Sequence, residues 1–375
     1  PRLFGTLLAR GLDPNAADQR GRTPLHELAA LPEDQAVPLA QALLLAGADP
    51  ERTAADGQTP LGAALAAGRA QLVRWLSWVG PFRHPGRALR ADDLPAAAMQ
   101  GDTTAIDKLL ALGLPIDARD AQGCTSLLRA CGGGREDLAA MLLARGADAS
   151  IGAATGATCL SAAVSACREG VVVLLLDHGV PVNQPLPGGG TPLMVASALG
   201  LPGIVELLLA RGARVEAVDE PGNTALHAAA QYCFHGNDGE RARALLNALL
   251  TAKAPVDRAN AAGQTPLLLL LGARAEAATP SPQRALGELV GLLLARGADA
   301  DVQDARGVSC LHACAMHGLL EVARVLLRSG ADASRQDRLG RTAHEVALML
   351  GYADVAGELR RHAGTARPER PVAPR

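Results

Sequence analysis

Leu142-Leu143-Ala144-Arg145-Gly146-Ala147-Asp148 recurs as Leu175-Leu176-Asp177-His178-Gly179-Val180-Pro181 and again as Leu208-Leu209-Ala210-Arg211-Gly212-Ala213-Arg214, so the three glycines stand 33 residues apart. A second series keeps the same step: Gly123, Gly156, Gly189 and Gly222, each followed two residues later by Thr125, Thr158, Thr191 or Thr224. Two interlocked series with one period describe one structural unit used many times. A period of about 20–50 residues is the mark of a stacked array.

Composition sets the material of that array. Apolar residues make up 49% of the 375-residue chain but aromatics only 2%, so the interior is to be assembled from Leu, Ala and Val in thin layers. The formal charge of -2 argues against a general attraction to nucleic acid or to an acidic membrane. Lys108 and Lys253 are the only lysines, an excess of Arg that reads as genome base bias. Seven cysteines, in no regular framework, mostly occupy positions where other repeats carry Ala, Thr or Pro. They read as small buried hydrophobes in a reducing compartment, the cytoplasm. The densest apolar run, Leu267 to Leu271, is too short to cross a bilayer.

One complete unit reads Gly21-Arg22-Thr23-Pro24-Leu25-His26-Glu27-Leu28-Ala29-Ala30, followed by Leu43-Leu44-Leu45-Ala46-Gly47-Ala48-Asp49. Gly21 can take the positive φ of a tight turn. Thr23 can then cap a helix, with Pro24 at its first position, where a missing N–H costs little. Leu25 and Leu28 point into the layer, while Ala29 and Ala30 let the neighbouring unit approach. The Leu run belongs to a second helix, which Gly47 can end in the left-handed conformation. Each unit is thus a turn plus two antiparallel helices whose apolar faces are buried only against other units.

Thr-Pro-Leu-His with an Ala pair, then a Leu pair and Gly-Ala-Asp, resembles the ankyrin repeat. The match recurs at Thr59-Pro60-Leu61, Thr191-Pro192-Leu193, Thr224-Ala225-Leu226-His227, Thr265-Pro266-Leu267 and Ser309-Cys310-Leu311-His312, giving about ten repeats over nearly the whole chain. The resemblance implies an all-α solenoid of antiparallel helix pairs joined by β-turn or hairpin fingers. It also implies a non-enzymatic scaffold that binds a protein partner.

The chain opens partway through a unit, which leaves room for an upstream catalytic domain that this array would target or regulate. Residues 1–91 read as N-terminal repeats with an irregular connection after Gly80, a junction sealed by Trp75, Trp78 and Phe82. Residues 92–362 read as the main array, opened by Asp92-Asp93-Leu94. Two of its units lengthen: the turn glycines lie 41 apart from Gly222 to Gly263 and 44 apart from Gly263 to Gly307. The extra residues are assigned to inter-helix loops near 232–240 and 272–283, neighbours in space. A polar last helix, Val355 to Arg361, suits a terminal cap, and residues 363–375 read as a disordered tail.

Catalytic patterns do not survive inspection. His26-Glu27 and His344-Glu345 could open a zinc-protease helix, but Ala30 and Leu348 stand where the second His belongs. Cys310, His312, Cys314 and His317 crowd four potential ligands into one short helix, which cannot point all of them at one tetrahedral ion. The runs Gly132-Gly133-Gly134 and Gly188-Gly189-Gly190 lack the Lys-Ser/Thr of a phosphate loop. No metal or cofactor is expected.

What the resemblance implies instead is a partner lying along the concave surface of turn tips and first helices. Those slots hold Asn223, Gln231 and Tyr232; Arg306, Met316 and His317; and Arg338, Arg341, Met349 and Leu350. In the middle units they hold the plainer Gln122, Gly132, Gly133, Thr155 and Ser165. Tyr232, Phe234 and His235 cluster at the first long loop, and interface hot spots favour Tyr, Trp and Arg. A competing role for Tyr232 and Phe234 is to fold that loop onto its own repeat. Replacing both by Ala is expected to spare folding and abolish partner binding. The expected protein is a monomer that binds neither nucleic acid nor membrane. A separate expectation is that Arg306, Arg338 and Arg341 converge on a pocket for a small anionic ligand.

Overall fold

The structure, a computed structural model, describes residues 6, 8–77, 89–235, 238–272, 275 and 283–362. The chain divides into two compact units, Pro1–Ala162 and Ala163–Arg375. In the first, helices pair as α1 (Pro24–Glu27) with α2 (Glu33–Leu45), α3 (Pro60–Ala66) with α4 (Ala70–Leu76), α5 (Asp93–Gln100) with α6 (Thr103–Ala111), and α7 (Ser126–Gly132) with α8 (Glu136–Ala144). Helix α9 (Cys159–Ser165) spans the division. The second unit continues with α10 (Glu169–Asp177), then pairs α11 (Pro192–Ala198) with α12 (Pro202–Ala210) and α13 (Ala225–His235) with α14 (Gly239–Thr251). It closes with α15 (Pro266–Leu270) and α16 (Gln283–Ala295), α17 (Cys310–His317) and α18 (Leu320–Arg328), and α19 (Ala343–Met349) and α20 (Ala353–His362). In this unit α11, α13, α15, α17 and α19 stack in one row and α10, α12, α14, α16, α18 and α20 in the other. Helix pairs with short fingers between them are the expected all-α solenoid.

The local rules behave as the residue types require. Thr59, Thr125, Thr191 and Thr265 each accept a backbone N–H from the first turn of the helix that follows. Gly21 adopts φ +73° at its finger tip. The fingers are held to one another by main-chain bonds, such as Ala154 N to Gln122 O at 2.9 Å in the first unit and Ala305 N to Ala262 O at 2.8 Å in the second. Three of them carry an isolated bridge, as between Gln336 and Thr342.

A second tie between repeats comes from histidine. His26 Nδ1 accepts from Thr23 while its Nε2 donates to Gln58 O of the next repeat at 3.0 Å. His227 does the same between Thr224 and Gln264 O, and His312 between Ser309 and Arg341 O. Both ring nitrogens are thereby occupied, which explains the Thr-x-x-His motif without a metal. Leu and Ala fill the interior, with Leu25, Leu109, Leu142, Leu208 and Leu326 at most 1% exposed. Burying one such Leu contributes about 1.5–3 kcal/mol. Six of the seven free cysteines are buried, only Cys167 being exposed. Burial pushes the Cys233 thiol up to about 12.

Two features depart from strict repetition. In the first unit α3 stacks on α1, but no comparable stacking of α5 on α3 is formed among the described residues, and Leu65 on α3 stays 60% exposed. Trp78 and Phe82 lie outside the described residues, as does most of the connection ahead of the expected boundary at 91/92. In the second unit the added length near residue 232 is mostly helix rather than loop: α13 runs 11 residues to His235, and α14 starts at Gly239. An apolar Cys233-Phe234 pair on the inner side of α13, 2% and 1% exposed, makes the extra turn worth forming. Most of 273–282 and all of the tail 363–375 lie outside the described residues. Ahead of the tail, Glu358 on α20 accepts from Arg324 and Arg361 at 3.2 and 2.8 Å, a polar clasp on the last outer helix.

Candidate functional site

Two grooves open along the tips and first helices of the second unit. The first, about 550 Å³, is walled by Ala198 of α11, by Asp219 and Asn223 of a finger, by His227, Ala228, Gln231, Tyr232 and His235 of α13, and by Leu269 of α15. Asn223 is held rather than loose: its amide donates to Asp219 at 2.9 Å and its carbonyl accepts from Asn260 at 2.9 Å. Gln231 and His235 are exposed, and Tyr232 is half-buried. The Tyr232 ring lies over Gly200, where any Cβ would overlap it.

The second groove, about 530 Å³, is lined by Arg306, Val308, His312 and Met316 of one repeat and by Arg338, Leu339, Arg341, Val346, Met349 and Leu350 of the next, with Ala305 and Asp337. Leu339, Met349 and Leu350 are 74%, 68% and 42% exposed. Arg341 donates through Nε and Nη2 to Asp337 Oδ2 at 2.9 and 2.7 Å, and Arg306 makes the same fork on Asp304 at 3.0 and 2.9 Å. Both carboxylates are nearly buried, with side chains 2% and 4% exposed for Asp304 and Asp337. Burial alone would raise the Asp337 carboxyl, but hydrogen bonds from the Arg341 side chain and from backbone N–H groups outweigh it and hold it below its ordinary value. The guanidiniums are thus fixed in the groove wall by buried anions.

Phe234 and His317 are the exceptions to the expected surface. Phe234 is 1% and His317 6% exposed, their rings 5.2 Å apart. Both close on Gly272, where a Cβ would sit 2.5 Å from the Phe234 ring and 2.8 Å from His317 Nε2. Gly272, at φ +82°, brings the start of the second insertion against the end of α13. The two aromatic residues therefore pack the lengthened repeats together and are not available to a partner. His317 Nε2 donates to Gly272 O at 3.1 Å, which leaves Nδ1 a buried acceptor with no partner among the described residues. Burial lowers the His317 pKa, opposed by that bond.

Of the ten anticipated residues, four meet in the first groove (Asn223, Gln231, Tyr232, His235) and four in the second (Arg306, Met316, Arg338, Arg341). Leu339 was missed, although it carries a signal. The residue before each finger glycine is Arg20, Asp56, Gln122, Thr155, Gly188, Pro221, Ala262, Arg306 or Leu339, and Leu339 alone is a large aliphatic.

Models of ankyrin repeats match residues 94–185, 145–219, 166–260 and 275–368, and a single-repeat model matches 20–54. The chain belongs to the ankyrin-repeat family. Ankyrin repeats are generic protein-interaction modules, and no curated protein matches this chain. No helix among the described residues is long and apolar enough to cross a membrane.

Proposed function

We propose that this ankyrin-repeat protein is a non-enzymatic scaffold, a cytoplasmic monomer, that holds one protein partner along the finger tips and first helices of residues 198–350. The observation that carries the reading is the first groove: side chains from three successive repeats converge there, and Gln231 and His235 stand exposed in its wall while Phe234 on the same helix is buried. Tyr232 supplies a rigid ring with a polar tip, a residue type favoured at interface hot spots. The free thiols, six of them buried, support a reducing compartment.

The test is photocrosslinking in the native host, with a benzophenone side chain placed at position 231 or, as control, at Glu206 on the outer row of helices. A discrete protein adduct from 231 and none from 206 is expected. Adducts from 206 alone, or the same adducts from both, would move the partner surface away from the groove.

A further inference from the structure

Among the described residues eight large apolar side chains are exposed, and four of them, Leu339, Leu348, Met349 and Leu350, fall in the last repeat. Three line the second groove, whereas none of the eight lines the first. The charge around them is not random. Three guanidiniums and one carboxylate, Asp337, line this groove, and Arg341 is forked onto Asp337 while Arg306 is forked onto the nearly buried Asp304 behind it. Arg338 is exposed, bonds the neighbouring finger only through its backbone N–H, to Arg306 O at 3.0 Å, and has no side-chain partner among the described residues. One positive charge is therefore left over beside an apolar trough.

From this balance we infer that the second groove binds a partner segment that carries large aliphatic or aromatic side chains next to one carboxylate, Asp or Glu, with the apolar groups on Leu339, Met349 and Leu350 and the carboxylate on Arg338. Two other occupants fit less well. The chain's own tail, Thr365 to Arg375, carries Arg367, Arg370 and Arg375 against a single Glu369, the wrong sign for Arg338. A small free anion would use Arg338 but leave the apolar surface in water, because the two neighbouring guanidiniums already face carboxylates. A carboxylate set among apolar side chains satisfies both halves of the groove. Desolvation by those side chains strengthens the ion pair relative to one in open water.

The inference names the partner chemistry for one end of the surface proposed above and rests on that reading. It is tested by selecting binders from a random dodecapeptide phage library on the full chain and on its Arg338→Glu and Met349→Ser variants. Peptides that combine at least two large apolar residues with one Asp or Glu are expected. A synthetic copy of the most enriched peptide should bind Arg338→Glu at least tenfold more weakly, Arg338→Lys a few-fold more weakly, and Met349→Ser about tenfold more weakly. Selection on Arg338→Glu should replace the acid by Lys or Arg. Enrichment without an acidic residue, affinity indifferent to Arg338→Glu, or no enrichment at all would overturn the inference. So would inorganic phosphate competing at millimolar concentration, which marks a small-anion site, or a dimer abolished by Met349→Ser, which marks a second copy of the chain. Crosslinking at position 231 reports on the scaffold reading alone, so its survival alongside a failed selection separates the two outcomes.

Discussion

The two grooves of the second unit are made from the same slots of the same repeat, yet one presents amide, phenol and imidazole groups and the other exposed aliphatic side chains beside three arginines. In the first, Asn223, Gln231, Tyr232 and His235 face Leu269 and alanines. In the second, Leu339, Met349 and Leu350 face Arg306, Arg338 and Arg341. The buried positions beneath them scarcely differ, since Leu226 and Leu311 are both within 1% of full burial. The repeat therefore fixes where side chains stand, and the identity of the tip and last-turn residues alone sets what each groove can recognise.

The most severe way to break the comparison is Phe234→Ala. Phe234 packs against the ring of His235, which lines the first groove, and against His317, the neighbour in sequence of Met316 in the second, so it adjoins both grooves at once. A Phe to Ala change in a core costs about 3–5 kcal/mol. A fall of that size in a urea titration is expected, and this is where the reading of Tyr232 and Phe234 as paired surface residues fails: the double alanine variant cannot spare folding. A loss under about 1 kcal/mol would contradict the buried placement.

Gly200→Ala and Gly318→Ala separate the grooves. Both glycines sit at φ +67° under a ring of the next repeat, Tyr232 over Gly200 and Tyr352 over Gly318. A side chain at positive φ costs about 1–2 kcal/mol, and the added methyl must also push the ring aside. Similar destabilisation is expected from both. Only Gly200→Ala should alter the first groove, read as loss of the crosslink from position 231, and only a change reaching the second groove should weaken the selected peptide.

A smaller effect comes from pH. His317 ordinarily titrates near 6.5, and burial holds its folded value below that, so the unfolded chain binds the proton more readily. Stability is then complete above the ordinary value and falls as pH drops through it toward the folded value. The expected result is a midpoint in urea that declines below about pH 6.5, by less in His317→Gln than in the native chain over that window. Equal slopes for the two would remove His317 from the account.

The fold was legible because its evidence is repeated: Thr-Pro-Leu-His and Gly-Ala-Asp recur often enough that irregular copies are read from their neighbours. The grooves were legible in part, because slot position follows from the period. What a slot does in one copy does not. Tyr232 and Phe234 are two residues apart in sequence, and only the extension of α13 to His235 decides that one faces the groove and the other the core. His317 holds the same slot as Leu350, but Gly272 from an inserted segment closes over it. Both misplacements arise at the insertions, where periodicity stops carrying information.

The finest distinction concerns charge. Arg338 and Arg341 flank the same tip, three residues apart, and a formal count treats them alike. Arg341 holds the nearly buried Asp337, so Arg341→Ala leaves a carboxylate without its cation and should cost about 1–3 kcal/mol. Arg338 engages the stack only through its backbone, so Arg338→Ala should change stability by no more than about 0.5 kcal/mol, the ordinary range for an exposed site. The Asp337–Arg341 pair also predicts the acid limb. The Asp337 carboxyl is held below its ordinary value, so its contribution is present above that value and is lost as pH falls toward the folded one, in native and Arg338→Ala chains alike. If Arg338→Ala destabilised as much as Arg341→Ala, Arg338 would be a structural cation, no positive charge would be left at the second groove, and its chemistry would reduce to an apolar trough like any other.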